Sequence, residues 1–295
     1  MDINLIKLFE NFNSEDRCRE LLEMLRWPSG VCCLRCGDVS VSKLEKRHQY
    51  ECNGCRYQFS ATAGSVLHDS HLPLWKWFLA TYLICEGKKG ISANQLKRTL
   101  GISYKTAWYL CHRIREAMKS DNPAKLAGIV EADETFIGGK YDKRRKRAAY
   151  DKTCVVGVIQ RGGEVRAQKI PSRGARALAT YIRASVEPGS QLMTDEYAGY
   201  KTVGKEYDHS KVNHSKLEYV VGLTHTNSIE NFWSLFKRGL VGSFHKVSDK
   251  HLDRYLDEFT YRFSNRADGQ LFQNTLRNLV NGKTLTFEEL TKDAA

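Results

Sequence analysis

Three carboxylates and one lysine stand in settings suited to chemistry. Asp133 lies inside the run Glu131-Ala132-Asp133-Glu134-Thr135-Phe136-Ile137, and Asp195 closes Leu192-Met193-Thr194-Asp195. Glu230 and Lys237 sit seven residues apart in the stretch T-H-T-N-S-I-E-N-F-W-S-L-F-K-R-G, residues Thr224 to Gly239. Carboxylate oxygens suit Mg²⁺, which keeps several waters and so needs few protein ligands. Two such ions about 3.5–4 Å apart activate an attacking oxygen and stabilise the leaving oxygen of an in-line displacement at phosphorus. Lys237 would hold a neighbouring phosphate as a point charge. Glu131 shares Asp133's face of a strand, whereas Glu134 points away. Asn227 lies one turn before Glu230. Glu131 and Asn227 are therefore accessory candidates, and Glu196, next to Asp195, is a weaker one.

The elements that must position these groups can be read from periodicity. Ile229, Phe232, Trp233 and Phe236 form the stripe of an amphipathic helix, which Asn227 or Ser228 caps and Gly239 ends. Glu230 and Lys237, two turns apart, project on nearly the same side of it. Upstream, residues 128–137, 154–160 and 164–170 read as three strands. A helix carrying Leu178, Tyr181, Ile182 and Val186 follows, then a fourth strand, 191–194, that ends on Asp195. The polar loop beyond it leaves room for a fifth. This order is that of a ribonuclease H-like mixed sheet, with Asp133 in the central strand and Asp195 at the end of its neighbour. A helix over 250–265 closes the domain.

A second constellation is made of thiols. Cys33-Leu34-Arg35-Cys36 and Cys52-Asn53-Gly54-Cys55 are separated by fifteen residues. Two such knuckles wrap one tetrahedral zinc, with Gly37 and Gly54 expected to supply the tight turns. Short alternating segments around them suit a zinc ribbon, and the metal is structural. Cys18, Cys85, Cys111 and Cys154 lack partner spacing and read as buried thiols. Helices over 74–86, 93–100 and 104–118 follow. The last two, joined at Gly101, make a helix-turn-helix pattern, and its second helix is expected to expose Lys105, His112, Arg113 and Arg115 to a major groove.

Lys and Arg number 46 against 34 Asp and Glu, a net charge of +12. That balance points to a polyanionic partner, nucleic acid first. Six of the eight residues from Lys140 to Arg147 (Lys140, Lys143, Arg144, Arg145, Lys146 and Arg147) are basic. Arg238 adds a further charge beside Lys237. The sequence has neither a run of eighteen apolar residues nor a secretory pattern, so a cytoplasmic protein without a membrane partner is expected.

The segments E-A-D-E-T-F-I-G-G-K, M-T-D-E-Y-A-G-Y, H-T-N-S-I-E-N-F-W-S-L-F-K-R-G and F-H-K-V-S resemble bacterial insertion-sequence transposases of the DDE type, in the group with an N-terminal zinc ribbon. The resemblance runs from about Asp16 to Arg266. It implies Asp133, Asp195 and Glu230 as a Mg²⁺-binding triad with Mn²⁺ as a substitute, Lys237 as its basic companion, and a nucleoid-associated protein. It also implies that the ribbon and helix-turn-helix read terminal inverted repeats, and that Lys140–Arg147 contact DNA backbone. Some relatives place Asn where a third carboxylate is expected, which keeps Asn227 beside Glu230 as third ligand. The expected layout is N-terminal helices (1–30), ribbon (31–62), helix-turn-helix (70–120), catalytic domain (127–266) and a helical tail (267–295). The expected activity is hydrolysis at the element ends and joining of the freed 3′-hydroxyls to target DNA, in a homodimer or larger synaptic assembly. A DNA-binding regulator without catalysis and a structure-selective nuclease are the alternatives.

Overall fold

The computed structural model describes residues 3–120, 123–138, 152–212 and 225–292. In chain order the helices and strands are α1 (Leu5–Asn11), α2 (Glu15–Arg26), β1 (Val41–Leu44), β2 (Gln49–Cys52), β3 (Gln58–Phe59), α3 (Leu74–Glu86), α4 (Ala93–Leu100) and α5 (Tyr104–Glu116). There follow β4 (Ile129–Ile137), β5 (Thr153–Gln160), β6 (Val165–Ile170), α6 (Ala175–Ser185), β7 (Gln191–Thr194), β8 (Asp208–Lys211), α7 (Asn227–Gly239), α8 (Leu252–Ser264), α9 (Leu271–Asn281) and α10 (Phe287–Thr291). Several helices start where a short polar side chain accepts the third helical N–H: Asn4, Ser14, Ser92, Ser103 and Thr286 do so, the last within a full capping box. The chain divides into two compact units, Met1–Met118 with Asp268–Ala295, and Lys119–Ala267.

In the first unit β1, β2 and β3 form an antiparallel ribbon. Trp27 packs edge-on against Tyr50 and Phe59, with ring centroids 5.6 and 5.9 Å away. Residues 268–292, read above as a tail, are built into this unit. Phe272 packs against Phe78 and Tyr82, the Asn281 side-chain amide donates to the Leu25 carbonyl, and the Val66 amide donates to the Leu279 carbonyl. The apolar stripe of α9 covers what would otherwise be an exposed face of α2 and α3.

The helix-turn-helix pattern is present, with Gly101 at φ +62 between α4 and α5. Its expected reading surface is not. His112, Arg113 and Arg115 are buried. Arg113 donates to the His68 carbonyl (2.6 Å) and its guanidinium lies over the rings of Trp77 and Tyr109. Only the start of α5, Tyr104 to Thr106, is exposed. Lys105 is there, its ammonium 4.5 Å from the centre of the Phe287 ring. The Arg113 guanidinium thus lies against aromatic surface, and its charge serves the interior.

The second unit is a five-stranded mixed sheet in the order β6-β5-β4-β7-β8. The β4–β5 and β5–β6 pairs are antiparallel; β4–β7 and β7–β8 are parallel. The fifth strand lies in the polar loop. Strand alternation sorts the central residues between two faces. Val130, Ala132, Val156 and Val158 pack with Leu178 and Ile182 of α6. Val155, Ile159 and Ile137 pack with Ile229, Phe232, Trp233 and Phe236 of α7 and Phe259 of α8. This arrangement is compatible with a ribonuclease H-like domain.

Candidate active site

The same alternation decides where each acidic residue goes. Glu131 and Asp133 fall on the α7 face, and Glu134 on the α6 face. There Glu134 is buried, paired with Arg173 through Nε and accepting from the Tyr200 hydroxyl at 2.5 Å. Burial and the Glu134 charge raise Tyr200 well above its ordinary range, so it stays a donor.

The parallel ladder pairs Ile129 with Gln191, Val130 with Leu192 and Glu131 with Met193. Continued by two residues, this register sets Asp133 beside Asp195. Asp133 accepts the Glu134 amide (2.9 Å), and Asp195 accepts the Tyr197 amide (3.0 Å). The Tyr197 ring in turn carries the Arg173 guanidinium, 3.5 Å from its centre.

Glu230 arrives on α7, exposed, one turn inside the helix, and accepts from the Thr226 hydroxyl at 2.7 Å. Its charge reaches Asp133. Burial first, then Glu134, Asp195 and Glu230, push the Asp133 carboxyl up to about 7. Asp133 is thus the group on which the other two carboxylates converge electrostatically. The ligand atoms of the three do not all lie within 4.8 Å of one another. Among the described residues the only His, Cys, Asp or Glu group of three or more with all ligand atoms within 4.8 Å is the cysteine cluster.

Lys237 and Arg238 are exposed on the last turn of α7, and Arg238 Nε donates to the Ser234 carbonyl (3.2 Å). Gly239 is the last residue of α7, as expected, and the chain continues from it as a π-helix over Leu240–Phe244. Asn227 and Ser228 do not cap α7. Thr226 is the N-cap residue and Asn227 is the exposed first helical residue. The side-chain cap comes from Glu131, whose Oε2 accepts the amides of Ser228 (2.8 Å) and Ile229 (3.1 Å). Lys140 and Lys143–Arg147 lie outside the described residues.

The sequence reading missed Arg161, His225 and Thr226. Arg161 Nε bonds Glu131 Oε1 at 2.8 Å and its Nη2 donates to the His225 carbonyl at 3.0 Å. The signal was Glu131 itself. A carboxylate inside a mostly apolar strand demands a buried cation or a helix N-terminus, and here it has both.

In the ribbon, the sulfurs of Cys33 and Cys55, Cys36 and Cys52, and Cys36 and Cys55 lie 3.6, 3.5 and 3.5 Å apart. Ligands at a Zn–S distance of about 2.3 Å in a tetrahedron are separated by about 3.8 Å. The four thiols therefore fit one structural zinc. The amides of Arg35 and Cys55 donate to Cys33 and Cys52 sulfur. The left-handed residue of each knuckle is Gly37 (φ +77) and, in the second, Arg56 (φ +58). Gly54 serves differently from expectation: a Cβ there would come within 2.6 Å of Asp38 Oδ2.

Residues 125–264 match the family described as ISXO2-like transposase domain, and residues 13–58 match the transposase zinc-ribbon domain. An uncharacterized protein in transposable element ISH50 of Halobacterium salinarum is 30% identical, the match covering 86% of this chain and 92% of that protein. A chain in the cryoEM structure of a simian T-cell lymphotropic virus intasome in complex with a PP2A regulatory subunit, B56 gamma, is 13% identical. It covers 60% of this chain and 66% of that one at a TM-score of 0.30, too slight a likeness to support any conclusion. No helix among the described residues is long and apolar enough to cross a membrane.

Proposed function

The chain belongs to the IS1595-type insertion-sequence transposases with an N-terminal zinc ribbon, and from that membership we propose that it cuts and joins DNA at the carboxylate site of β4, β7 and α7. In this reading it binds the terminal inverted repeats of its element, hydrolyses the ends to free 3′-hydroxyls and joins these to target DNA. The observation that carries it is the β4–β7 register, which sets Asp195 beside the half-buried Asp133, with the Glu230 charge reaching Asp133 from α7.

The donor set suits hard divalent cations. Three carboxylates crowd one end of the sheet, and the central one is driven toward protonation, a cost that Mg²⁺ or Mn²⁺ would relieve. Asp133, Asp195 and Glu230 would hold two such ions, which supply Lewis-acid stabilisation of the phosphate and a more acidic attacking hydroxyl. The protein's own groups do the positioning. The Tyr197 amide fixes Asp195, and Thr226 steadies Glu230. Lys237, exposed two turns beyond Glu230, holds a phosphate of the bound strand. Asn227, exposed at the helix start, remains the alternative third ligand.

Backbone contacts fall to Arg238, to Lys140 and Lys143–Arg147, and to Lys105 at the open end of α5. Synapsis requires two DNA ends to be held together, which a homodimer or larger assembly provides.

Strand transfer tests this reading. The zinc-loaded protein is incubated with labelled element-end DNA, a target plasmid and Mg²⁺, beside Asp195→Asn. Joined product that vanishes in the variant supports a transposase with Asp195 in its site. Cleavage without joining would replace it by a structure-selective nuclease. Tight binding with neither reaction, under Mg²⁺ or Mn²⁺, would leave a transposase-derived DNA-binding regulator.

A further inference from the structure

Building on the active-site reading above, we propose that Glu131 is its positioning residue, a clasp that sets Glu230 against Asp133 without binding metal itself. The Glu131 side chain has no exposed surface, and its acceptor positions are filled. Oε1 accepts from Arg161 Nε (2.8 Å) and the Ser228 hydroxyl (3.0 Å), with His225 Nδ1 at 3.2 Å. Oε2 accepts the amides of Ser228 and Ile229. A carboxylate offers about four acceptor sites. None remains for a cation.

What this carboxylate holds is the start of α7. Ser228 and Ile229 are the second and third residues of that helix, the amides a side-chain cap ordinarily serves. Thr226, the N-cap residue by position, makes no such bond and turns its hydroxyl to Glu230 instead. The cap is therefore supplied from the neighbouring strand. A negative charge at this helix end also interacts favourably with the helix dipole. Arg161 completes the grip by holding Glu131 with one nitrogen and the His225 carbonyl with another.

The positions give the clasp its consequence. Glu131 is two residues before Asp133 on β4, and Ile229 immediately precedes Glu230 on α7. Asp133 and Asp195 ride on strands of one sheet, whose ladder sets their spacing. Glu230 rides on a separate element and has no ladder to set its distance. The clasp joins the two elements at points two residues from Asp133 and one residue from Glu230. A buried charged network adds little net stability, but it enforces one arrangement over others.

The test uses full-length, zinc-loaded protein and two variants, Glu131→Gln and Ser228→Ala. Three quantities are read: hydrogen exchange at the Ser228 and Ile229 amides, Mn²⁺ affinity, and single-turnover cleavage of element-end DNA. In Glu131→Gln those amides exchange faster and Mn²⁺ binds roughly 10–100-fold more weakly, the usual scale for groups that orient metal ligands. Cleavage at saturating DNA slows while the DNA concentration at half-maximal rate stays unchanged. Should Glu131→Gln fail to melt cooperatively, Ser228→Ala decides. It removes one bond and strands no buried charge, and a several-fold loss of Mn²⁺ affinity is expected.

A folded variant that binds Mn²⁺ and cleaves like wild type would overturn the clasp alone. Arg161→Met distinguishes a direct ligand. The clasp predicts weaker Mn²⁺ binding there, and tighter binding would mean that Glu131 is itself a ligand. Wild-type protein that neither binds Mn²⁺ nor cleaves would defeat the functional reading first, and the positioning role with it.

Discussion

Asp133 and Gly157 face each other directly across the antiparallel β4–β5 ladder, and α7 packs tightly over Gly157. A Cβ at Gly157 would lie 2.6 Å from Trp233 Cζ2 and 3.1 Å from Ile229 Cδ1. The helix that brings Glu230 can settle beside Asp133 because the opposing residue has no side chain. Gly157→Ala must push α7 outward or force Trp233 from its place. Overpacking of this kind costs about 1–3 kcal/mol. A urea melt followed by tryptophan fluorescence should show that loss, and metal-dependent cleavage should fall with it. A variant as stable and as active as wild type would show that α7 is not seated as described.

Asp133 links the site to pH. Its carboxyl ionises near 3.8 when unfolded and is pushed up to about 7 in the fold, by burial first and then by Glu134, Asp195 and Glu230. Between those values the folded protein keeps a proton that the unfolded chain has released. Stability without added divalent metal therefore falls as pH rises through that window and stays low above about 7. Asp133→Asn removes the penalty. At pH 8 and without added Mg²⁺ the variant should be more stable than wild type by a few kcal/mol, with the gain shrinking toward pH 4. It should not cleave DNA, and Mg²⁺ should raise the melting temperature of wild type only. A pH-independent difference would refute the account.

Burial separates two basic residues on α5. Arg113 sits between Trp77 and Tyr109 and bonds the His68 carbonyl. Arg113→Ala should cost about 3 kcal/mol in stability, because it empties an interior position and leaves a polar group unpaired. Lys105→Ala, at an exposed position, should leave the melting temperature within a degree or so and weaken binding of element-end DNA. Thermal melts beside a salt titration of DNA binding distinguish them. Weaker DNA binding by Arg113→Ala at unchanged stability would reinstate it as a DNA contact.

The cysteine cluster predicts metal content. Elemental analysis should find one zinc per chain, carried by Cys33, Cys36, Cys52 and Cys55. Cys52→Ser should lose it, since a structural site needs all four ligands. The nearby cluster of Trp27, Tyr50 and Phe59 should loosen, and Trp27 emission should shift to the red. Full zinc content in that variant would mean another ligand has stepped in.

What the sequence determined by itself is whatever rests on local spacing. Two C-x-x-C knuckles specify a zinc site because four sulfurs within reach need only short loops between them. The 3.6-residue stripe of Ile229, Phe232, Trp233 and Phe236 specifies which side of α7 is buried, and so leaves Glu230 and Lys237 outward. The two-residue alternation of β4 sends Asp133 and Glu134 to opposite faces. The order of strands and helix sufficed for a mixed sheet with Asp133 at its centre.

The tertiary structure decided what depends on partners distant in the chain. Strand β8 hides in a polar loop because an edge strand is specified by pairing rather than by its own hydrophobic pattern. Arg113 and Arg115 looked like surface charges, yet the rings that shelter Arg113 come partly from α3 and are invisible to periodicity. Residues 268–292 looked like an appendage until α9 proved to cover α2 and α3. Glu131 looked like a spare metal ligand. Only folding brings it to Arg161 and to the amides of Ser228 and Ile229. A charge can stay buried only where such partners meet it, and their meeting is a property of the fold as a whole.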